Sequence, residues 1–126
     1  MGGKEVMSIA PYLASPMPVV RRMLMLADVK PGEIVYDLGC GDGRIVITAA
    51  REFGAYAVGI EIRRDLALKA MRAVEEAGLT DRVKIINANF FDVDISDADV
   101  VTLYLTTSAN LKVKPKLERE LKPGAR

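Results

Sequence analysis

Tyr36-Asp37-Leu38-Gly39-Cys40-Gly41-Asp42-Gly43-Arg44 is the stretch that decides the fold. Alternating glycines follow an apolar strand and lead into a helical pattern. The backbone can therefore turn sharply, bring its N–H groups against a ligand and aim the positive end of a helix at it. That is the geometry of a site for a nucleotide-like cofactor. A dinucleotide fingerprint reads G-x-G-x-x-G, with its last glycine one residue later to seat a pyrophosphate. Here the spacing is G-x-G-x-G, and the acidic Asp37 stands just before it.

Working outward, Ile34, Val35, Tyr36 and Leu38 form a short first strand after the turn Lys30-Pro31-Gly32-Glu33. Before it, Ser15-Pro16 reads as a helix start, with Ser15 at the cap and proline in the first turn. Val19, Val20, Met23, Leu24 and Ala27 follow at helical spacing, whereas Met1 to Ala14 show no period. Beyond the glycine loop, Ile45, Ala49, Ala50 and Phe53 define a helix face that Gly54 closes. Tyr56-Ala57-Val58-Gly59-Ile60 is a second strand. Leu66, Ala70, Ala73, Val74 and Ala77 give the next helix, with Gly78 as its C-terminal cap. Val83-Lys84-Ile85-Ile86 and Val100-Val101-Thr102-Leu103-Tyr104 are the third and fourth strands. Asn110 to Leu121 is helical, and Pro115 must lie at a first turn or a kink. Strands alternating with helices on short connections predict a mostly parallel sheet with helices on both faces, an α/β fold. Leu121-Lys122-Pro123-Gly124-Ala125-Arg126 has the form of a turn into a further strand. The chain therefore reads as a fragment, truncated after the helix that follows strand four; otherwise strand four would be an unusually apolar sheet edge.

The chain has 126 residues, 50% of them hydrophobic, and a formal net charge of +1, which suits one soluble domain with a real core. It divides into an N-terminal segment and helix over residues 1–30 and a ligand-binding core over residues 31–126. No apolar run approaches the roughly 18 to 20 residues of a membrane span, and Met1-Gly2-Gly3-Lys4 lacks the apolar core of a secretory signal. A cytoplasmic setting without a membrane partner follows. Cys40 is the single cysteine and there is no histidine, so an internal disulfide and a Cys/His metal site are excluded, and no metal is expected. Cys40 reads as a small filler of the glycine loop rather than a nucleophile. The balance of charges gives no field that would make nucleic acid the main partner, although a local basic patch is compatible with it.

Right-handed crossovers, with strand order reversing after the third strand, place a crevice at the carboxyl ends of strands one and four. The G-x-G-x-G form after Asp37 resembles motif I of the Rossmann-like class I methyltransferases, which bind S-adenosyl-L-methionine. That ligand carries an amino acid in place of phosphates. Asp37 and the loop at Gly39, Gly41 and Gly43 would then hold its methionine moiety. Glu61, at the end of the second strand, is placed to accept both ribose hydroxyls, since an ionised carboxylate offers two acceptor oxygens. Asn89, after the third strand, can hydrogen-bond the adenine edge, and Phe90 or Ile62 could cover the ring face. Each residue also has a plainer reading. Glu61 alone would be a solvated helix-starting acid, Phe90 is as readily core, and Tyr12 could pack under a loop.

A narrower likeness rests on Pro11-Tyr12 with Ser15-Pro16, Val20-Arg21-Arg22-Met23-Leu24, the glycine loop, Asn89-Phe90-Phe91 and Lys114-Pro115-Lys116-Leu117. Together these resemble the archaeal seven-strand protein-lysine methyltransferases, relatives of the Dot1-type histone methyltransferases. The likeness runs from about Tyr12 to the last residue. It implies that Tyr12 and Ser15 belong to a segment folding over the cofactor, with the Ser15 hydroxyl near the cofactor carboxylate. Family members often have threonine there, and proline where Ala14 stands. It implies protein substrates presenting exposed lysines, chromatin or nucleic-acid-associated proteins among them, and S-adenosyl-L-homocysteine as product.

Methyl transfer from a sulfonium is an in-line displacement that needs alignment of a neutral amine and no covalent enzyme intermediate. The expected catalytic residues are Tyr12 and Tyr104, which could orient the amine at the cleft mouth through ring faces or hydroxyls. RNA or DNA is the first alternative acceptor. However, Tyr104-Leu105-Thr106-Thr107 stands where base-amine methyltransferases carry an Asn/Asp-Pro-Pro-Tyr motif, and Cys40 is misplaced for pyrimidine-carbon chemistry. A cofactor-binding module without transfer activity is the second alternative.

Overall fold

The computed structural model describes residues 6–8, 16–103 and 107–126. The elements run β1 (Val6–Ser8), α1 (Met17–Leu26), β2 (Ile34–Leu38), α2 (Arg44–Phe53), β3 (Tyr56–Glu61), α3 (Arg64–Glu76), β4 (Val83–Asn87), β5 (Val100–Leu103) and α4 (Thr107–Glu120), with a 3-10 turn at Phe90–Asp92. The sheet is five-stranded in the order β1-β5-β2-β3-β4, and every pairing is parallel. Strands one to four of the sequence reading are β2 to β5. Their order reverses between β4 and β5, so the carboxyl ends of β2 and β5 border the switch point.

Register explains the two-faced core. Val35 lies level with Ala57 and Val100, while Leu38 lies level with Ile60 and Leu103. Period-two alternation sends the first set to one face and the second to the other. Val35, Ala57, Val83 and Val100 pack with Val20 and Leu24 of α1, Val46 and Ala50 of α2, and Ala67 and Ala70 of α3. Leu38, Ile60, Val101 and Leu103 pack with Val113, Leu117 and Leu121 of the α4 region. Helices thus cover both faces, as the alternation of elements requires.

Two expectations need correction, the aperiodic N-terminal stretch and the Ser15 cap. Val6–Ser8 forms a strand where no period was visible, because three residues cannot display one and the pairing is supplied by β5 (Val6 opposite Val101). Strand four is accordingly not a sheet edge. At its base, the Arg126 N–H donates to the Asp99 carbonyl at 2.7 Å and the Val101 N–H donates to the Arg126 carbonyl at 2.6 Å. The cap position of α1 is Pro16, not Ser15, and no side chain caps it; the Pro16 carbonyl receives the N–H groups of Val19 and Val20 at 3.0 and 3.1 Å. Pro18 in the first turn removes one donor that would otherwise need a cap. Pro115 lies inside α4, and the helix continues through it to Glu120. Among the described residues, no helix is long and apolar enough to cross a membrane.

Candidate functional site

The loop after β2 is held by main-chain bonds to the neighbouring strand. The N–H groups of Gly39 and Cys40 donate to the Ile60 carbonyl at 2.8 and 3.0 Å, and Gly43 N–H donates to the Cys40 carbonyl at 2.9 Å. Gly39, Gly41 and Gly43 have φ of 86°, 55° and 85°, a left-handed path that side-chain-bearing residues rarely follow. A Cβ on Gly41 would meet nothing within 4 Å, so the loop leaves open space there for a ligand to approach the backbone. Cys40 points the other way, into the core at 6% exposure. Its sulfur sits over Gly59, where a Cβ would come within 2.7 Å of Sγ, so the second strand needs glycine opposite the loop. Burial, with Asp37 and Glu61 nearby, pushes the Cys40 thiol up, which suits a filler and not a nucleophile.

Glu61 ends β3 at 6% exposure, and both of its carboxylate oxygens accept backbone N–H groups. Oε1 accepts from the Gly41 N–H at 2.8 Å and Oε2 accepts from the Arg63 N–H at 2.9 Å. The acid therefore braces the glycine loop against the end of the next strand. Each oxygen keeps a second acceptor direction, so two hydroxyls could still be received.

Asp37, in the middle of the sheet at 1% exposure, accepts from the Thr102 hydroxyl at 2.8 Å. Burial raises its carboxyl to about 7; the Thr102 bond opposes that rise, while Glu61 and Asp42 add to it. The Asp42 carboxyl is held low, chiefly by its hydrogen bond to the Arg44 side chain. A cationic group beside Asp37 would favour its ionised form and bring its raised value down again.

The remaining predicted residues fall as follows. Ile62 is 65% exposed beside Glu61. Asn89 is exposed and caps the 3-10 turn, accepting from Phe91 N–H at 3.0 Å. Phe90 is half-buried against the second core, its ring 4.6 Å from that of Phe91, which is 41% exposed. Tyr12, Ser15 and Tyr104 lie outside the described residues. Among the described residues, no group of three or more His, Cys, Asp or Glu side chains could hold a metal ion.

Two residues join the site that the sequence reading passed over. Asn87, paired with Glu61 in the sheet, donates from Nδ2 to the carbonyls of Glu61 and Ile62 at 2.9 and 3.1 Å, fixing the backbone on which Glu61 stands. Thr102 is the partner of Asp37. Its signal was one hydroxyl in the apolar run Val100-Val101-Thr102-Leu103, which β propensity alone also explains. A separate open groove of about 520 Å³ between α1, α2 and α3 shares Asp42 with the loop but holds neither Asp37 nor Glu61.

The family described as the ANTKMT methyltransferase domain matches residues 37–126. A protein-lysine N-methyltransferase of Saccharolobus islandicus is 55% identical over 117 residues, 92% of this chain and 73% of that protein. The adenine nucleotide translocase lysine N-methyltransferase of Mus musculus is 33% identical over 116 residues, 92% of this chain and 50% of that protein. Among solved structures, an RNA methyltransferase of Salinibacter ruber in complex with S-adenosyl-L-homocysteine aligns with a TM-score of 0.88 at 53% identity, over 90% of this chain and 74% of that one.

Proposed function

The chain belongs to the ANTKMT methyltransferase domain family, and on that premise we propose that it transfers methyl groups from S-adenosyl-L-methionine to lysine side chains of proteins. The fold is the Rossmann-like class I methyltransferase fold. The observation that carries the reading is the Glu61 carboxylate joined to the Gly41 amide at the carboxyl ends of adjacent strands. It sets a two-oxygen acceptor beside a cradle open at Gly41, which fits a ribose next to an amino-acid tail.

S-adenosyl-L-methionine supplies an electrophilic methyl group on a sulfonium, so no side chain need form a covalent intermediate. What this chain must do is bind, orient and exclude water. Glu61 receives the ribose hydroxyls, and Asn87 keeps its backbone in place. Asp37 and the loop at Gly39, Gly41 and Gly43 receive the methionine end. Asn89 meets the adenine edge, with Ile62 and Phe90 against the ring. The N-terminal segment with Tyr12 and Ser15 folds over the cofactor, and Tyr12 and Tyr104 orient the incoming amine. A lysine amine, with a reference pKa near about 10.4, must arrive neutral, and desolvation at the cleft mouth favours that form.

The substrates in this proposal are proteins with exposed lysines, chromatin or nucleic-acid-associated proteins included, in the cytoplasm. RNA is the second reading, favoured by the Salinibacter relative. The buried, up-shifted Cys40 thiol argues against the cysteine-dependent branch of nucleic-acid methylation. Incubation with methyl-labelled S-adenosyl-L-methionine and mixed cell protein and RNA separates the two. Label recovered as methyl-lysine is the expected result, and label in RNA alone overturns the lysine assignment.

A further inference from the structure

Lys116 belongs to the Lys114-Pro115-Lys116-Leu117 run, to which the mechanism above gives no task. It is 3% exposed, an unusual place for an ammonium. Its Nζ donates to the Val93 carbonyl at 2.7 Å, to Glu120 Oε2 at 2.6 Å and to the Phe91 carbonyl at 3.4 Å. A lysine has three N–H donors, and each finds an acceptor. The other Glu120 oxygen, Oε1, accepts from the Ile95 N–H at 3.2 Å. Two side chains one turn apart on α4 therefore grip alternate backbone groups at residues 91, 93 and 95.

The gripped segment continues directly from the end of β4. Phe91, whose carbonyl faces Lys116, gives its N–H to Asn89 Oδ1 at 3.0 Å, and Asp92 N–H donates to the Asn89 carbonyl at 2.9 Å. Asn89 is thus located through the residues that α4 holds. A buried ion pair adds little stability over apolar residues of similar volume, but an apolar pair could not hold these backbone groups. What the pair supplies is the position of the segment.

Resting on the cofactor reading above, we propose that Lys116 is a positioning residue for the adenine base. With Glu120 it fixes residues 91–95, so that Asn89 and Phe90 stand against the base beyond β4. Discrimination of the base should then depend on a side chain that never touches it.

The test uses the chain and two ligands, S-adenosyl-L-homocysteine and S-inosyl-L-homocysteine, which carries oxygen in place of the exocyclic amine. Titration calorimetry of the wild type should show the adenine ligand binding at least about tenfold tighter. Lys116→Met and Glu120→Gln should each lose about tenfold for the adenine ligand and less than about twofold for the inosine ligand, so the ratio approaches one. Circular dichroism checks folding, and Glu120→Gln, which keeps the shape, decides if Lys116→Met does not fold. General loosening would weaken both ligands alike, so an intact ratio in a folded variant overturns the inference, as does a wild type that does not discriminate. Failure of the wild type to bind S-adenosyl-L-homocysteine at all is a different outcome, and it overturns the cofactor reading itself.

Discussion

The loop after β2 and the segment after β4 border the same end of the sheet but are built in different ways. The first is fixed by main-chain donors of Gly39, Cys40 and Gly41 meeting the end of the adjacent β3, through the Ile60 carbonyl and the Glu61 carboxylate. The second is fixed by Lys116 and Glu120, more than 20 residues along the chain on another face of the sheet. One half of the site is therefore a consequence of strand-loop-helix-strand geometry, and the other hangs on a buried cation. The main-chain half should fail by losing the ligand outright, and the side-chain half by losing selectivity for the base.

Glu61→Ala gives the largest expected effect. It removes both ribose acceptors and leaves the Gly41 and Arg63 amides without their carboxylate partner, so S-adenosyl-L-methionine affinity should fall about 100-fold or more. Calorimetry showing unchanged affinity would break the assignment of this half. Gly59→Ala probes the same half from beneath. Its Cβ would stand 2.7 Å from Cys40 Sγ and 2.9 Å from Cys40 Cβ, an overpacking expected to cost about 1–3 kcal/mol in urea unfolding. Cys40→Ala added to it should recover part of that loss by deleting the sulfur. Strict additivity of the two changes would show that the strain lies elsewhere.

The main-chain half was largely legible in the sequence, because its signals are local. Glycine spacing, a run of β formers and an acid at the end of the next strand lie between Ile34 and Glu61. The other half was legible only in Asn89 and Phe90, and the distant partners that hold either half in place were not. Thr102 matters through Asp37, 65 positions away, Asn87 through the Glu61 carbonyl, 26 away, and Lys116 through Val93, 23 away. In isolation a threonine in a strand is a β former, an asparagine after one is a boundary, and a lysine on a helix is solvated. Only pairing brings out the further role. The strand Val6–Ser8 was hidden for the same reason, since its partner Val101 lies at the far end of the chain.

Asp37→Asn sharpens the comparison by separating stability from binding. Its folded carboxyl is raised to about 7, so between the ordinary unfolded value near about 3.9 and that point the native state holds a proton the unfolded state has released. Stability then falls as pH rises through this window, and the full penalty remains above it. Asparagine does not titrate and can still accept from Thr102. The variant should therefore gain stability over the wild type between about pH 4 and 7, levelling off at about 1 kcal/mol or more, as thermal melts at pH 5 and pH 8 would show. Cofactor affinity should move the other way at pH 8, because the carboxylate that would face the ligand ammonium is lost. If the variant's advantage over the wild type is no larger at pH 8 than at pH 5, Asp37 is ionised without penalty.

The smallest expected effect is the one that isolates burial. Lys114 and Lys116 share α4 and flank Pro115, yet their side chains are 69% and 4% exposed. Lys114 reaches Glu118 at 3.9 Å across solvent, an exposed pair of the kind that contributes little. Lys114→Met removes the same charge from the same helix as Lys116→Met. If net charge near the cleft governed cofactor affinity, the two would act alike. If the second half of the site depends on the grip on residues 91–95, Lys114→Met should leave both affinity and base discrimination unchanged in calorimetry at low and at physiological salt. An affinity loss in Lys114→Met that vanishes with added salt would instead assign the effect to long-range charge, and the contrast between the two halves would no longer rest on the buried contact.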